Sequence, residues 1–284
     1  MAKQLDMGAS ELFAHDLFSL SEIFHENTKM RRTREGGLYA IQHPGPRSSE
    51  DLQYAITHAF KSYHSAKKVP LPKNLPGLAK PLEQVIRTRR SNREYSGAAI
   101  SLDSLSRILE LSYGVTGEAL WEDGATRFYK RAAPSAGALY SNEVYVVVLN
   151  VDDLDAGLYH YHPQEHSLGR LHATDLRGDL QRAVLYPEVV ASASIVLVLA
   201  AVFQRTRFKY GERGYRFALL DSGHLAQNIY LVATALGLGS VAIGGFLDDE
   251  LNDMLALNGV DEAVVYLMAV GQPALPDGEI EPAD

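Results

Sequence analysis

Strands and helices interleave along this chain, and one hairpin stands among them, which predicts a mixed α/β fold with a sheet that is not purely parallel. Two apolar runs, 143–151 (EVYVVVLNV) and 194–203 (SIVLVLAAVF), are too uniformly hydrophobic for strands with one solvated face. Residues 157–171 alternate and turn as a hairpin does. With 284 residues, 46% of them hydrophobic and 22% charged, the chain can bury a large core. Its length admits one large domain or two small ones.

From the N-terminus, Leu12, Phe13, Leu17, Phe18, Leu20, Ile23 and Phe24 recur at helical spacing and predict an amphipathic helix within 11–30. Residues 34–48 carry glycines and prolines and read as loop. A short helix is expected within 52–63. Four prolines between 70 and 81 make an extended join. Pro81 suits a first helical turn, and Leu82, Val85 and Ile86 continue it. Ser101 opens a second helix that Gly114 stops. After the first apolar strand and the hairpin come a helix at 175–185, the second apolar strand, and a long helix over 215–236. A strand at 240–246, a short helix at 248–257 and a last strand at 263–273 complete the order. The expected organisation is a helical N-terminal extension (1–75), a principal domain (76–275) and an acidic tail (276–284).

Lysine and arginine total 27 against 35 acidic residues, a net charge of −8. A general nucleic-acid binder needs a basic surface, so that class is excluded; a local basic patch for a small phosphate is not. The chain has no cysteine. Disulfides, thiolate metal sites, iron–sulfur clusters and a cysteine nucleophile are therefore excluded, and a reducing cytosol fits. Residues 1–20 are interrupted by Asp6, Glu11, His15 and Asp16 and hold no apolar signal segment. The longest apolar run, 195–203, is about half of the roughly 20 residues a bilayer span needs. The expectation is a cytoplasmic protein with neither membrane nor nucleic acid as partner.

Several residue patterns can carry chemistry. Arg87, Arg89, Arg90 and Arg93 crowd around Ser91. Guanidinium groups so close repel each other unless they are solvated or face an anion, so this is either a phosphate or carbonyl-rich-ring site or a solvated helix end. Pro134, Ser135, Ala136 and Gly137 lead into a buried strand with few side-chain atoms over their amides. A planar ligand can approach such a backbone closely; an ordinary strand-entry turn reads the same way. Gly244 and Gly245 end a strand, where ligands collect in α/β sheets or a tight turn forms. Lys209 and Tyr210 stand together before the long helix and can act as base and acid if their surroundings lower their ordinary values near 10. A basic surface loop is the alternative, given Arg205, Arg207, Arg213 and Arg216. His160 and His162 share a strand face, but no third ligand follows at a recognisable spacing, and no metal is expected. Asp221, His224, Gln227 and Asn228 form a polar stripe on the long helix that needs a ligand, a subunit or an internal network. Neither a dinucleotide fingerprint, a P-loop nor a nucleophile elbow is present.

Together the segments RTRRSNREY, APSAGALYSNEVYVV, KYGERGYRFALLDSGHLAQNIYLVATALGLG, AIGGFLDDELNDML and VVYLMAVGQP resemble, in order, the nitroreductase-like flavoproteins. The resemblance covers about 81–273 and is nearest the SagB/ThcOx-type dehydrogenases, azoline oxidases of peptide natural-product pathways. FHENTKMR (24–31) resembles the extension preceding that domain. The resemblance implies a mixed, mainly antiparallel sheet flanked by helices, and an interlocked homodimer binding FMN at its interface. It implies that Arg89, Arg90, Ser91 and Arg93 hold the phosphate and the pyrimidine edge. Pro134, Ser135, Ala136 and Gly137 would line the flavin from the partner, and Gly244 and Gly245 would lie near N5. Lys209 and Tyr210 match the Lys-Tyr pair that serves as base. One departure is that GQPALPDGEIEPAD supplies no basic residue after the last strand, so the phosphate must rely on the arginine segment.

The implied reaction removes a proton and a hydride from a C–C or C–N bond, and no side chain accepts a hydride, so a cofactor must. The substrate is expected to be an azoline or a similar ring, on a peptide, on a carrier or free, and other biosynthetic enzymes are candidate partners. Two alternatives share the fold: an NAD(P)H-dependent nitro or quinone reductase, and a non-catalytic flavoprotein subunit of a biosynthetic complex.

Overall fold

The computed structural model describes residues 19–29, 31–32, 38–39, 48–121 and 123–274. The expected helix start at 11–18, most of the 34–48 loop, Met30 of FHENTKMR and the acidic tail lie outside them. The N-terminal part contains α1 (Leu20–Asn27), β1 (Arg31–Arg32), β2 (Leu38–Tyr39), α2 (Ser49–Thr57) and β3 (Lys67–Pro70). Then follow α3 (Leu82–Thr88), α4 (Leu102–Tyr113), β4 (Val115–Leu120), β5 (Arg127–Arg131) and β6 (Asn142–Val148). The hairpin is β7 (Gly157–His162) with β8 (Ser167–His172), followed by α5 (Arg177–Ala183), α6 (Pro187–Ala191) and β9 (Ile195–Val202). The last elements are α7 (Phe203–Tyr210), α8 (Arg213–Ala235), β10 (Gly239–Ile243), α9 (Asp248–Met254) and β11 (Glu262–Gly271).

Seven strands form the central sheet in the order β10-β11-β9-β6-β7-β8-β3. Every neighbouring pair is antiparallel. The two apolar runs become β6 and β9, paired from Asn142↔Ala201 to Val148↔Ile195. Their uniform hydrophobicity reports two covered faces, not strand direction. Val144, Val146, Leu197 and Leu199 pack with Leu105 and Ile108 of α4 and Leu225 and Ile229 of α8. The alternate residues Tyr145, Val147, Val196 and Val198 pack with Leu180 of α5, Val190 of α6 and Leu251 of α9.

Local signals placed the helices well. Ser101 Oγ accepts from Ser104 N at 3.1 Å and starts α4, and Gly114 ends it. Pro81 is the residue before α3, not inside its first turn. Seven elements were not foreseen, among them the short antiparallel pair β1 and β2, the second of which falls within the expected 34–48 loop. β3 and β5 are short and rich in charge, and β4 alternates half-buried Val115, Gly117 and Ala119 with exposed residues, two of its three inward positions being too small to mark a strand by hydrophobicity. The five residues of α6 are too few to show a period. The segment RTRFKY, read as loop in one alternative, is the body of α7, where only Phe203 and Thr206 are buried. At the N-terminus, α1 is fastened to α8: Arg213 donates to Thr28 O at 2.9 Å, Arg216 to His25 O at 2.7 Å, and Phe24 meets Tyr215 edge-on.

Candidate functional site

The arginine segment leaves α3 as extended chain because Arg89 takes ψ 125° at the helix end. It then runs beside edge strand β10, where Ser91 bridges Ser240 in parallel and Asn92 N donates to Ser240 O at 3.0 Å. Tyr230 of α8 fixes both. Its hydroxyl lies 3.2 Å from Ser91 Oγ and accepts from Ala242 N at 2.7 Å, and the Arg89 guanidinium lies 5.1 Å from its ring centroid. Arg87 pairs with Glu83 at 2.9 Å. Arg90 turns back to the carbonyls of Arg87 and Arg89, and Arg93 to that of Ser91. Among the described residues no carboxylate pairs with Arg89, Arg90 or Arg93. Their charge is open to an anion, and Ser240 Oγ is buried beside them without a hydrogen-bond partner.

Gly244 and Gly245 follow β10 at the other end of that strand. The ligand rule for parallel sheets that pointed to them does not apply, since the strand neighbour of β10 in the sheet, β11, is antiparallel to it. They are accessible instead because β10 is an edge strand. The Tyr266 ring stands 3.9 Å from where a Gly244 Cβ would be, and Leu185 Cδ1 3.1 Å from that of Gly245.

The turn ahead of β6 is held from inside. Ser135 Oγ donates to Asp221 Oδ2 at 2.6 Å and accepts from Tyr140 N at 2.9 Å, and Ala136 N donates to Asp221 Oδ1 at 3.3 Å. Burial pushes the Asp221 carboxyl above its ordinary value, and these hydrogen bonds work against that rise. Gly137 has φ +63°, and a Cβ there would sit 2.6 Å from the Tyr210 hydroxyl and 3.2 Å from Lys209 Nζ. Two motifs far apart in sequence thus meet in one place. Lys209 Nζ lies 5.4 Å from the Tyr210 ring centroid, and Tyr210 packs edge-on against Phe217 at 4.9 Å.

Behind them Arg205, one helical turn before Lys209, contacts the buried Glu143 at 2.6 Å and donates to Tyr140 O at 2.8 Å. His160 Nε2 lies 2.8 Å from the other carboxylate oxygen, and Lys61 N donates to Glu143 Oε1 at 3.3 Å. Burial alone would raise the Glu143 pKa, but Arg205 and the His160 hydrogen bond outweigh it and hold it at about 2. His162 instead stacks on Phe60, so the two histidines serve different contacts. The polar stripe of α8 also divides: Asp221 and Asn228 bond inward, while His224 and Gln227 are exposed. Sequence reasoning missed Tyr230, Tyr140 and Arg205 as organisers. Tyr230 sits between Ile229 and Leu231 and carries no local signal.

The foreseen residues therefore form two clusters. One holds Arg89, Arg90, Ser91, Arg93 and the glycine pair along β10. The other holds Pro134, Ser135, Ala136 and Gly137 with Lys209 and Tyr210 at the start of β6. Since β11 and β9 separate β10 from β6, the strands are three spacings apart, about 14 Å. No hydrogen bond or ion pair joins the clusters among the described residues.

Comparison with known proteins shows the family of the chain. A Methanocaldococcus jannaschii nitroreductase-type protein is 42% identical over 191 residues, 67% of this chain and 90% of that protein. The microcin B17-processing protein McbC of Escherichia coli is 36% identical over 135 residues, 45% of this chain and 49% of McbC. A nitroreductase-type crystal structure from Anabaena variabilis superposes with TM-score 0.65 and 28% identity, covering 82% of this chain and 49% of that one. Both matches span about half the length of those two proteins. The E. coli microcin synthetase McbBCD complex with truncated pro-MccB17 bound matches with TM-score 0.57 over 95% of this chain and 98% of its own, at 20% identity, a likeness of fold. The Nitroreductase family profile matches residues 86–272, which contain every candidate residue above. This chain belongs to the Nitroreductase family.

Proposed function

We propose that this chain is an FMN-dependent dehydrogenase or oxidase that converts an azoline, a thiazoline or oxazoline, into the aromatic azole during peptide natural-product biosynthesis, and that it works in the cytoplasm as a homodimer. The observation that carries the reading is the position of Lys209 Nζ and the Tyr210 hydroxyl over the side-chain-free face of Gly137, 3.2 and 2.6 Å from where a Cβ would stand. A base pair is needed for dehydrogenation and idle in a reductase that takes its proton from solvent. The family of flavin-dependent oxidoreductases and the processing role in McbC's name support it further. So does the McbBCD complex, in which the related fold assembles with other proteins and a peptide.

The residues present fit FMN. Among the described residues Arg89, Arg90 and Arg93 have no carboxylate partner, and they suit a phosphate or the electron-rich pyrimidine edge. Gly244 and Gly245 leave room for a ring against the backbone. The 134–137 turn would complete the pocket from the partner subunit, because its own cluster lies about three strand spacings away. Bound FMN supplies the hydride acceptor at N5. Lys209, with Tyr210, takes the proton from the neighbouring ring atom, so the ring loses one proton and one hydride and gains a double bond. Asp221 and Ser135 hold the turn that fixes the pair.

Lys209→Ala is expected to keep a wild-type flavin spectrum and lose most oxidation of a thiazoline-containing peptide. Oxidation at the wild-type rate would remove Lys209 from the reaction. A nitro- or quinone-reductase reading is favoured by the nitroreductase-type relative from M. jannaschii. Rapid anaerobic bleaching of the flavin by NADPH would decide for it.

A further inference from the structure

Beside the glycine pair the chain makes a short ladder outside the main sheet. Val184 bridges Phe246 in antiparallel fashion, Leu185 N donates to Gly245 O at 3.0 Å, and Leu247 N donates to Ala183 O at 2.7 Å. Successive residues of such a ladder face opposite sides. Val184 and Phe246 turn into the core. Leu185 and Leu247 therefore turn outward, on the side where Gly245 has no side chain. Leu185 is 59% exposed, Leu247 42%, and Tyr186, next along the chain, 61%. The Tyr186 ring and hydroxyl have no partner among the described residues. Single exposed apolar residues are ordinary, but Leu185 against Gly245, with Tyr186 next to it in the chain and Leu247 on the same side of the ladder, make an apolar patch of the kind that marks a ligand surface.

Resting on the reading above, we infer that Leu185, Tyr186 and Leu247 form the apolar wall that receives the substrate's five-membered ring and the side chain next to it, and that Tyr186 selects that neighbour. The reasoning is one of reach. A hydride passes only when the reacting carbon lies about 3–3.5 Å from its acceptor. With the glycine pair beside the flavin as proposed, Leu185, which touches Gly245, borders the reacting carbon, and Tyr186 and Leu247 extend that border along the ladder. Leu185 and Leu247 offer flat apolar contact with no hydrogen-bonding group. Tyr186, held at the start of α6 where Val189 N donates to its carbonyl at 3.1 Å, presents a ring at the rim. The wall suits a planar ring with an aromatic or aliphatic neighbour over a charged one.

The test uses the flavin-loaded full chain and two synthetic peptides, each with one thiazoline, flanked by glycine or by phenylalanine. Tyr186→Ala is expected to raise KM about tenfold for the phenylalanine peptide and about twofold for the glycine peptide, with kcat and the visible spectrum nearly unchanged. Tyr186→Phe should restore the preference. Binding of 2-phenylthiazole, followed by the change in flavin absorbance, should weaken in Tyr186→Ala and Leu185→Ala. Equal effects on both peptides, unchanged KM and affinity, loss of flavin, or a shift from dimer to monomer in Tyr186→Ala would each overturn the inference. If the wild type oxidises neither peptide yet binds 2-phenylthiazole more tightly than Tyr186→Ala, the azoline reading fails and the wall stands.

Discussion

Gly137 occupies a position that no other residue fills without displacement. Its φ of +63° is costly for a side chain, and a Cβ would collide with the Tyr210 hydroxyl. Gly137→Ala is expected to cost about 1–3 kcal/mol in strain. It should also lower thiazoline turnover well beyond any loss of flavin, since Tyr210 must move. Calorimetry and kcat on the flavin-loaded protein check this, and a wild-type melting temperature with wild-type kcat would contradict the contact. Ser135 is the complementary case, because its hydroxyl joins Asp221 to the Tyr140 amide. Ser135→Ala leaves both without that partner inside the protein. It should destabilise by about 1–3 kcal/mol, measured by urea unfolding.

Helix α7 shows how an element is secured by charges a sequence window does not reveal. Its six exposed or half-exposed positions give no apolar stripe, yet Arg205 anchors it on Glu143. The folded Glu143 value of about 2 lies below the ordinary 4.5. Its stabilisation is therefore complete above the unfolded value and is lost as pH falls from about 4.5 towards 2. Unfolding midpoints across that window should drop steeply in the wild type and less steeply in Glu143→Gln. The same variant should be less stable at neutral pH, because it leaves the buried Arg205 without its counter-charge. A variant with an unaltered pH profile would show that other carboxylates carry the acid sensitivity. The β3 strand makes a related point: its partner β8 pairs Lys67–Pro70 with residues about a hundred positions away, which no local pattern encodes.

At the scale of the whole molecule, the proposed homodimer would bring the second cluster of one copy to the first cluster of the other. Leu82, Ile86, Leu111, Leu219 and Leu220 are exposed on α3, α4 and α8, the helices that cover one face of the sheet. An apolar face of that kind suits an interface between protomers. Ile86→Glu combined with Leu220→Glu is expected to yield a folded species of one chain mass, 31.2 kDa, that no longer retains flavin. Light scattering and the visible spectrum read both outcomes together. A double variant that stays dimeric and yellow would place the interface elsewhere. Among the described residues no helix is long and apolar enough to cross a membrane.

The sequence by itself determined the order of the core elements, because helix and strand periods, Ser101, Gly114 and the two apolar runs are local consequences of burial and capping. It also determined which residue types were available for chemistry: arginines crowded around Ser91, a Lys-Tyr pair, glycines and no cysteine. Only the tertiary structure decided strand direction, since apolar runs record covered faces and are silent about orientation. It alone placed Gly137 against Lys209 and Tyr210, sent Asp221 inward while leaving His224 outside, and set Tyr230 between the arginine segment and β10. Those pairings join residues separated by tens of positions. Their energy comes from contacts that exist only once the chain has closed on itself.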